Sequence, residues 1–331
     1  MTCILNHPYT LRPFANDCDF QSILDLFIRC QKVDQLDKVH TTASLTQELQ
    51  RVPNFEITEQ LYFVQLQNDP SILGSIAFNW RKDINHNHIY EFHHWMVDPS
   101  RRGAGIEKIL LDKVEGWLIE YGQNQSEENW LQIRIKDTQT NLIELLESTG
   151  YNIERRTIKM SRLTSQNLPI VPTLNGLFLR KPEPNEYRKV LQANDEASKD
   201  LWGYSPKTEL QFQKWEQDRL FQPDNWVVAW DKKEVAGMIL GYIDEDENFA
   251  FNRKLGYTEE IAVSLPWRQK GLARWLLTES INMFRNKGME ETALSVDSLN
   301  QSQAYPFYIK MGYRPIGEYR YYRKSLPTRI V

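Results

Sequence analysis

The chain has 331 residues, longer than one hydrophobic core ordinarily serves, so two domains are expected. Its apolar share of 41% is enough for compact cores, and a formal charge of −4 offers no basic field for nucleic acid or an anionic membrane. Cys3, Cys18 and Cys30 are an odd set near the start, neither a disulfide framework nor a CxxC metal or redox pair. The opening MTCILNHPYT has no signal-peptide pattern, and no apolar run approaches the ~20 residues of a spanning helix, so a cytoplasmic protein is expected.

In chain order, Tyr9-Thr-Leu-Arg-Pro13 reads as a short strand, and Ile23, Leu24, Phe27 and Ile28 follow with helical spacing. Two strands come next, Tyr62–Leu66 and the glycine-containing Leu73–Ala77. His86, His88, His93 and His94 invite a metal reading, because alternate strand residues share a face. No cysteine is near them, and only Asp83 and Glu91 are adjacent carboxylates. They read as surface histidines, and no metal is expected. Val97-Asp-Pro-Ser-Arg-Arg-Gly-Ala-Gly105 then leads into a helix with Ile106, Ile109, Leu110, Val114 and Trp117 on one face. Gly150-Tyr151 opens a last strand. The segment Ser165–Thr173, with two prolines, reads as a linker.

The second half repeats this plan. Leu177-Phe-Leu-Arg180 matches the first strand; Trp226–Trp230 and the glycine-containing Val235–Ile239 match the next two. Val263-Ser-Leu-Pro-Trp-Arg-Gln-Lys-Gly271 aligns without gaps on Val97–Gly105, and Ala273, Leu276, Leu277, Ser280 and Phe284 share one helical face beyond it. Gly312-Tyr313 matches Gly150-Tyr151. A period this long means two globular domains rather than a solenoid. The expected boundaries are residues 1–165, a linker at 166–175, and 176–331. Each half alternates strands with amphipathic helices, which predicts an α/β layered fold with a mixed central sheet flanked by helices.

The chemistry concentrates in the second half. The turn Arg268-Gln-Lys-Gly-Leu-Ala273 joins a strand to a helix start, where unpaired N–H groups and the helix dipole make an anion site suited to a pyrophosphate. Gly271 allows close approach, Ala273 keeps the first turn open, and Arg268 and Lys270 add positive charge. Downstream, Asn300, Ala304, Tyr308 and Gly312 recur at four-residue intervals after the strand Thr292–Val296. Pro306 belongs in a first turn, so that helix is predicted to begin near Ala304, with Gly312 at its C-terminus.

These two motifs, in this order, resemble the signatures of the GNAT N-acetyltransferase superfamily over about Leu177 to Tyr322. The duplication resembles its tandem-domain members, mycothiol synthase among them. The resemblance implies acetyl-CoA as co-substrate. Ile261 and Val263 would pair with the pantetheine arm. Gln269, Lys270, Gly271, Leu272, Ala273 and Arg274 would hold the pyrophosphate, with Arg268 adding charge. Asn300 would contact the pantetheine or its thioester end, and Tyr308 would protonate the departing thiolate. All six histidines lie in the first half, so Glu259 and Glu260 are the candidate bases, only one of which can face the cleft. Trp202–Pro206 either lines the acceptor cleft or is a turn with packed aromatics.

The first half fails the same test. Glu107 stands where the second has Ala273, and Thr138, Leu142 and Leu146 stand for Asn300, Ala304 and Tyr308. The resemblance therefore implies a degenerate first domain and an active second one that acetylates a primary amine of a small molecule. Acetylation of a peptide or protein and a non-catalytic acyl-CoA sensor are the rival readings.

Overall fold

A computed structural model describes residues 3–4, 8–83, 85–121, 128–299 and 304–326. The chain forms two compact units, Met1–Arg156 with Tyr319–Val331, and Thr157–Glu318. The elements run β1 (Cys3–Ile4), β2 (Tyr9–Pro13), α1 (Cys18–Val33), α2 (Thr42–Arg51), α3 (Ile57–Gln60), β3 (Leu61–Leu66), β4 (Ile72–Lys82), β5 (His88–Val97), α4 (Ile106–Tyr121), β6 (Asn129–Lys136), α5 (Thr140–Ser148) and β7 (Asn152–Leu163). They continue with β8 (Leu177–Leu179), α6 (Tyr187–Ala197), α7 (Glu209–Glu216), β9 (Trp226–Asp231), β10 (Glu234–Leu240), α8 (Glu245–Ala250), β11 (Leu255–Tyr257), β12 (Ala262–Val263), α9 (Leu272–Asn286), β13 (Glu291–Asp297), α10 (Ala304–Lys310) and β14 (Arg314–Ser325). Among the described residues no helix is long and apolar enough to cross a membrane.

In the first unit β1 to β5 pair antiparallel in order, and β6 joins β5 in parallel. The period-two alternation of the strands feeds two cores. Tyr62, Val64, Phe78 and Val97 pack with α4 and α5 on one face, while Leu61, Phe63 and Ala77 pack with α1 and α2 on the other. The second unit repeats these layers: Ala236 and Ile239 face α9 and α10, and Val235, Met238 and Trp230 face α6. Gly237 permits this packing, since a Cβ there would lie 3.1 Å from both Leu272 and Leu276 of α9.

The division differs from the expected boundaries in one respect. Thr157–Leu163 of β7 pairs antiparallel with β13 in the second unit, and Tyr319–Ser325 of β14 pairs antiparallel with β6 in the first. The two repeats have exchanged their last strands. The segment read as a linker is also docked rather than free. Leu168, Val171 and Leu174 pack on the second unit's core, and Arg285 donates to the carbonyls of Thr164 and Gln166.

Candidate active site

The site of the second unit starts from a bulge. Leu240 N–H bonds Glu259 O, while Met238 pairs with Ala262, so two steps along β10 face three along its neighbour. Glu260 absorbs the extra residue at φ +49°, a left-handed conformation that costs a non-glycine residue about 1–3 kcal/mol and marks functional strands. The same bulge stands in the first unit, where Ser75 pairs with Met96, Ala77 pairs with His93, and His94 has φ +47°.

The bulge parts two strands. β11 runs parallel to β13 as far as Thr258, whose N–H reaches Ala293 O at 2.8 Å; β12 then pairs with β10 instead. Ser264 N–H bonds Ala236 O, so by alternation Ile261 and Val263 turn their amides away from β10 into the opening gap. That is the arrangement expected of groups that receive an extended ligand arm.

At the end of the gap, Gly271 caps α9 with φ +90°, ψ 0°, and a Cβ built on it would meet nothing within 4 Å. The amides of Gln269, Lys270, Gly271, Leu272, Ala273 and Arg274 find no acceptor among the described residues. Six amides at the positive end of a fifteen-residue helix fit a pyrophosphate. Lys270 Nζ rests 5.0 Å from the centroid of the Trp267 ring.

Arg268 is not one of these anion-facing groups. Its Nε donates to Val263 O (3.1 Å), Nη2 to Ala197 O (3.0 Å) and Nη1 to Asp200 Oδ2 (2.6 Å). The guanidinium latches the turn onto the end of α6. Arg102 does the same in the first unit, from Val97 O to a fork on Asp34 just after α1. That shared mechanical role explains why both repeats carry the arginine.

α10 (Ala304–Lys310) ends before Gly312 (φ +86°), as the motif predicted. It buries Tyr308 edge-on to Tyr313, with ring centroids 6.0 Å apart, and Tyr313 Oη lies between Thr258 and Thr292 at 3.2 and 2.9 Å. Burial, with smaller contributions from Tyr313 and Glu259, pushes the Tyr308 phenol far above its ordinary range, so it stays protonated. Asn300 lies outside the described residues.

The two neighbouring carboxylates have different surroundings. Glu260 is exposed and accepts from the buried Asn194 amide at 2.7 Å. Glu259 is half-buried and accepts from Ser295 at 3.3 Å. Burial first, and the adjacent Glu260 second, push its pKa up to about 7. Tyr242, stacked on Tyr257 at 4.7 Å, shares this side, and its phenol is pushed well up by burial and then by Glu259. In the Trp202–Pro206 turn Tyr204 is buried and donates to Asp195 at 3.0 Å.

The first unit closes the corresponding site. Glu107 is buried and its Oε1 accepts from Gly103 N–H at 3.1 Å, spending on the protein itself one amide of the turn. Trp95, Leu142 and Leu146 fill the core where the second unit has Ile261, Ala304 and Tyr308. Glu107 lines the cavity that remains beside the Asp34–Arg102 pair, and its carboxylate opposes an anion there. Of the histidines expected at the surface, His86 is exposed, but His88, His93 and His94 are partly or fully covered. His88 is buried and His94 nearly so, because the bulge turns His94 inward beside Glu48 and His40. Among the described residues no three His, Cys, Asp or Glu side chains are placed to hold a metal.

Two α/β layered units, one with its strands parting beside an amide-lined turn, define an acyltransferase architecture in tandem. The family model described as the Acetyltransferase (GNAT) family matches residues 20–151 and again 189–313, and the chain belongs to that family. Its members transfer acetyl groups from acetyl-CoA. Among solved structures, a GCN5-related N-acetyltransferase from Sphaerobacter thermophilus is similar at 21% identity and TM-score 0.72, covering 99% of this chain and 98% of that one. A tandem GNAT protein from the clavulanic acid biosynthesis pathway is similar at 13% identity and TM-score 0.70, over 96% and 99%. A glucosamine N-acetyltransferase region of a fungal multi-domain protein gives 13% and 0.70, over 97% of this chain and 38% of that one. No curated protein matches by sequence.

Proposed function

We propose that the second unit transfers the acetyl group of acetyl-CoA to a primary amine of a small molecule, and that the first unit is not catalytic. The observation that carries this reading is the open turn at Gly271, with unpaired amides in one unit and a plugging carboxylate in the other. Ile261 and Val263 would align the pantetheine arm, and the amides of Gln269 to Arg274 would hold the pyrophosphate. The gap between β12 and β13 would bring the thioester toward Tyr308.

Glu259 is the base in this scheme. With a pKa near 7 it holds a useful fraction of carboxylate at neutral pH and can take the ammonium proton, directly or through water. The neutral amine attacks the thioester carbonyl and the C–N bond forms; the C–S bond breaks as Tyr308 donates its phenolic hydrogen to the sulfur, and the proton shed by the new amide nitrogen returns to the tyrosinate. Glu260, fixed by Asn194, supplies charge rather than proton transfer. A net charge of −4 favours a small acceptor over a nucleic acid, and a cytoplasmic setting fits the thiol-bearing, disulfide-poor sequence.

The test is a screen of amino sugars, amino acids, small alkylamines and peptides for CoA release from acetyl-CoA. Turnover with a small amine supports the reading. Turnover with peptides alone moves the acceptor to the protein class, and silence across both, with acetyl-CoA still bound, makes the chain a sensor.

A further inference from the structure

Arg162, near the end of β7, is buried to 1% exposure opposite Thr292 of β13. Its guanidinium donates Nη1 to Met311 O at 2.6 Å, Nη2 to Gln166 O at 3.1 Å and Nε to Leu163 O at 3.3 Å. Every one of these acceptors is a neutral carbonyl. Burying a cation against carbonyls alone is costly, and an apolar side chain of similar volume would commonly serve stability as well or better. The position therefore calls for an explanation beyond packing.

Met311 supplies it. Its carbonyl is the first beyond α10, at the negative end of the helix that carries Tyr308, where a cation is favoured. Met311 N–H and Tyr313 N–H both return to Tyr308 O at 3.0 Å, so the peptides on either side of the one gripped by Arg162 are tied to the tyrosine's backbone, and the gripped peptide itself bonds Ile309 O through Gly312 N–H at 2.9 Å. Tyr313, edge-on to the Tyr308 ring, is held in turn by Thr292, the cross-strand partner of Arg162. Gly312 turns the chain beside the fork at φ +86°, a conformation that favours glycine.

We infer that Arg162 is a positioning residue for acetyl transfer: its clamp on Met311 sets where α10 sits along its axis, and so where the Tyr308 hydroxyl stands beside the scissile thioester. The inference rests on the reading of Tyr308 as the proton donor. It makes a strand from the first repeat part of the second unit's catalytic apparatus. A lysine could reach one carbonyl but not span three, because the planar fork is what matches their spacing.

The experiment is a double-variant cycle on the full chain, with Arg162→Met and Tyr308→Phe singly and together, reading kcat and the acetyl-CoA Kd. Arg162→Met is expected to lower kcat by ~10- to 100-fold, the effect of displacing a reacting group by about 1 Å, while Kd stays within ~3-fold because the Gly271 turn is on another element. In the Tyr308→Phe background the same change should lower kcat no further. Arg162→Lys, which retains the buried charge, should show the same non-additivity with a smaller loss, and it stands in if the methionine variant does not fold. Losses that add across the cycle, or kcat and Kd worsening in parallel, overturn the inference. If Tyr308→Phe alone leaves kcat intact, it is the reading of Tyr308 that fails, and this single variant distinguishes the two failures.

Discussion

Glu107 Oε1 accepts the amide hydrogen of Gly103 at 3.1 Å, and the residue that takes the place of Glu107 in the second unit is Ala273. In the first turn Glu107 thus takes one amide and Arg101 O takes the next, from Ala104, whereas the matching amides of Gln269 and Lys270 find no acceptor among the described residues. Ala273→Glu should let the second turn close on itself in the same way, weakening acetyl-CoA by at least ~100-fold while thermal unfolding barely moves, since the site is at the surface of α9. Titration calorimetry reads it directly. The unaltered chain should bind one acetyl-CoA. Two would remove the case that the first unit is closed.

Glu259 and Glu260 yield a pH prediction. Glu259 must be ionised to accept a proton, so kcat/KM should rise with pH along a limb centred near 7. Glu260 raises that value as a neighbouring negative charge, second to burial. Glu260→Gln should therefore shift the limb downward without abolishing it. Glu259→Gln should cost ~100- to 10,000-fold in kcat and erase the limb. A limb that remains near 7 in Glu259→Gln would assign the base elsewhere.

Much of this site was readable in the sequence, and the reasons are local. The equal spacing of Val97 to Gly105 and Val263 to Gly271 marks the same strand–turn–helix twice. Pro306 fixes where α10 can start. What could not be read depends on partners distant in the chain. Arg268 looked like a phosphate ligand because its charge is visible, whereas Ala197 O and Asp200, which occupy it, have no readable spacing to it. Strand alternation put Glu259 and Glu260 on opposite sides, but the side each takes depends on a bulge that shifts the register, with φ +49° at a glutamate. The same register shift turns His94 inward, leaving its side chain 11% exposed, although its position in the sequence reads as a surface histidine.

The paired latches predict unequal consequences for two equivalent arginines. Arg102 forks onto Asp34, whose side chain is 2% exposed, so Arg102→Met leaves a buried carboxylate unpaired and should cost the first unit about 3 kcal/mol. Arg268 meets Asp200 at an exposed side chain, worth under about 1 kcal/mol, and its loss should register mainly as a looser Gly271 turn. Denaturant unfolding should thus respond to Arg102→Met and acetyl-CoA affinity to Arg268→Met. The reverse pattern would assign Arg268 to stability and leave the turn independent of it.

The exchange of final strands makes the end of the chain a structural part of its beginning. Tyr322 is fully buried in the first unit's core, pairs with Ile133 of β6, and donates to Glu147 at 2.8 Å. Tyr322→Ala removes a large aromatic from a closed core, at a cost of about 3–5 kcal/mol. Hydrogen exchange shows where that cost falls. Amides of β6 at Leu131–Lys136 should lose protection, because β14 is their ladder partner, while β13, paired with β7, should keep its own. If the repeats were instead independent along the sequence, the loss would appear after residue 176 and leave β6 untouched.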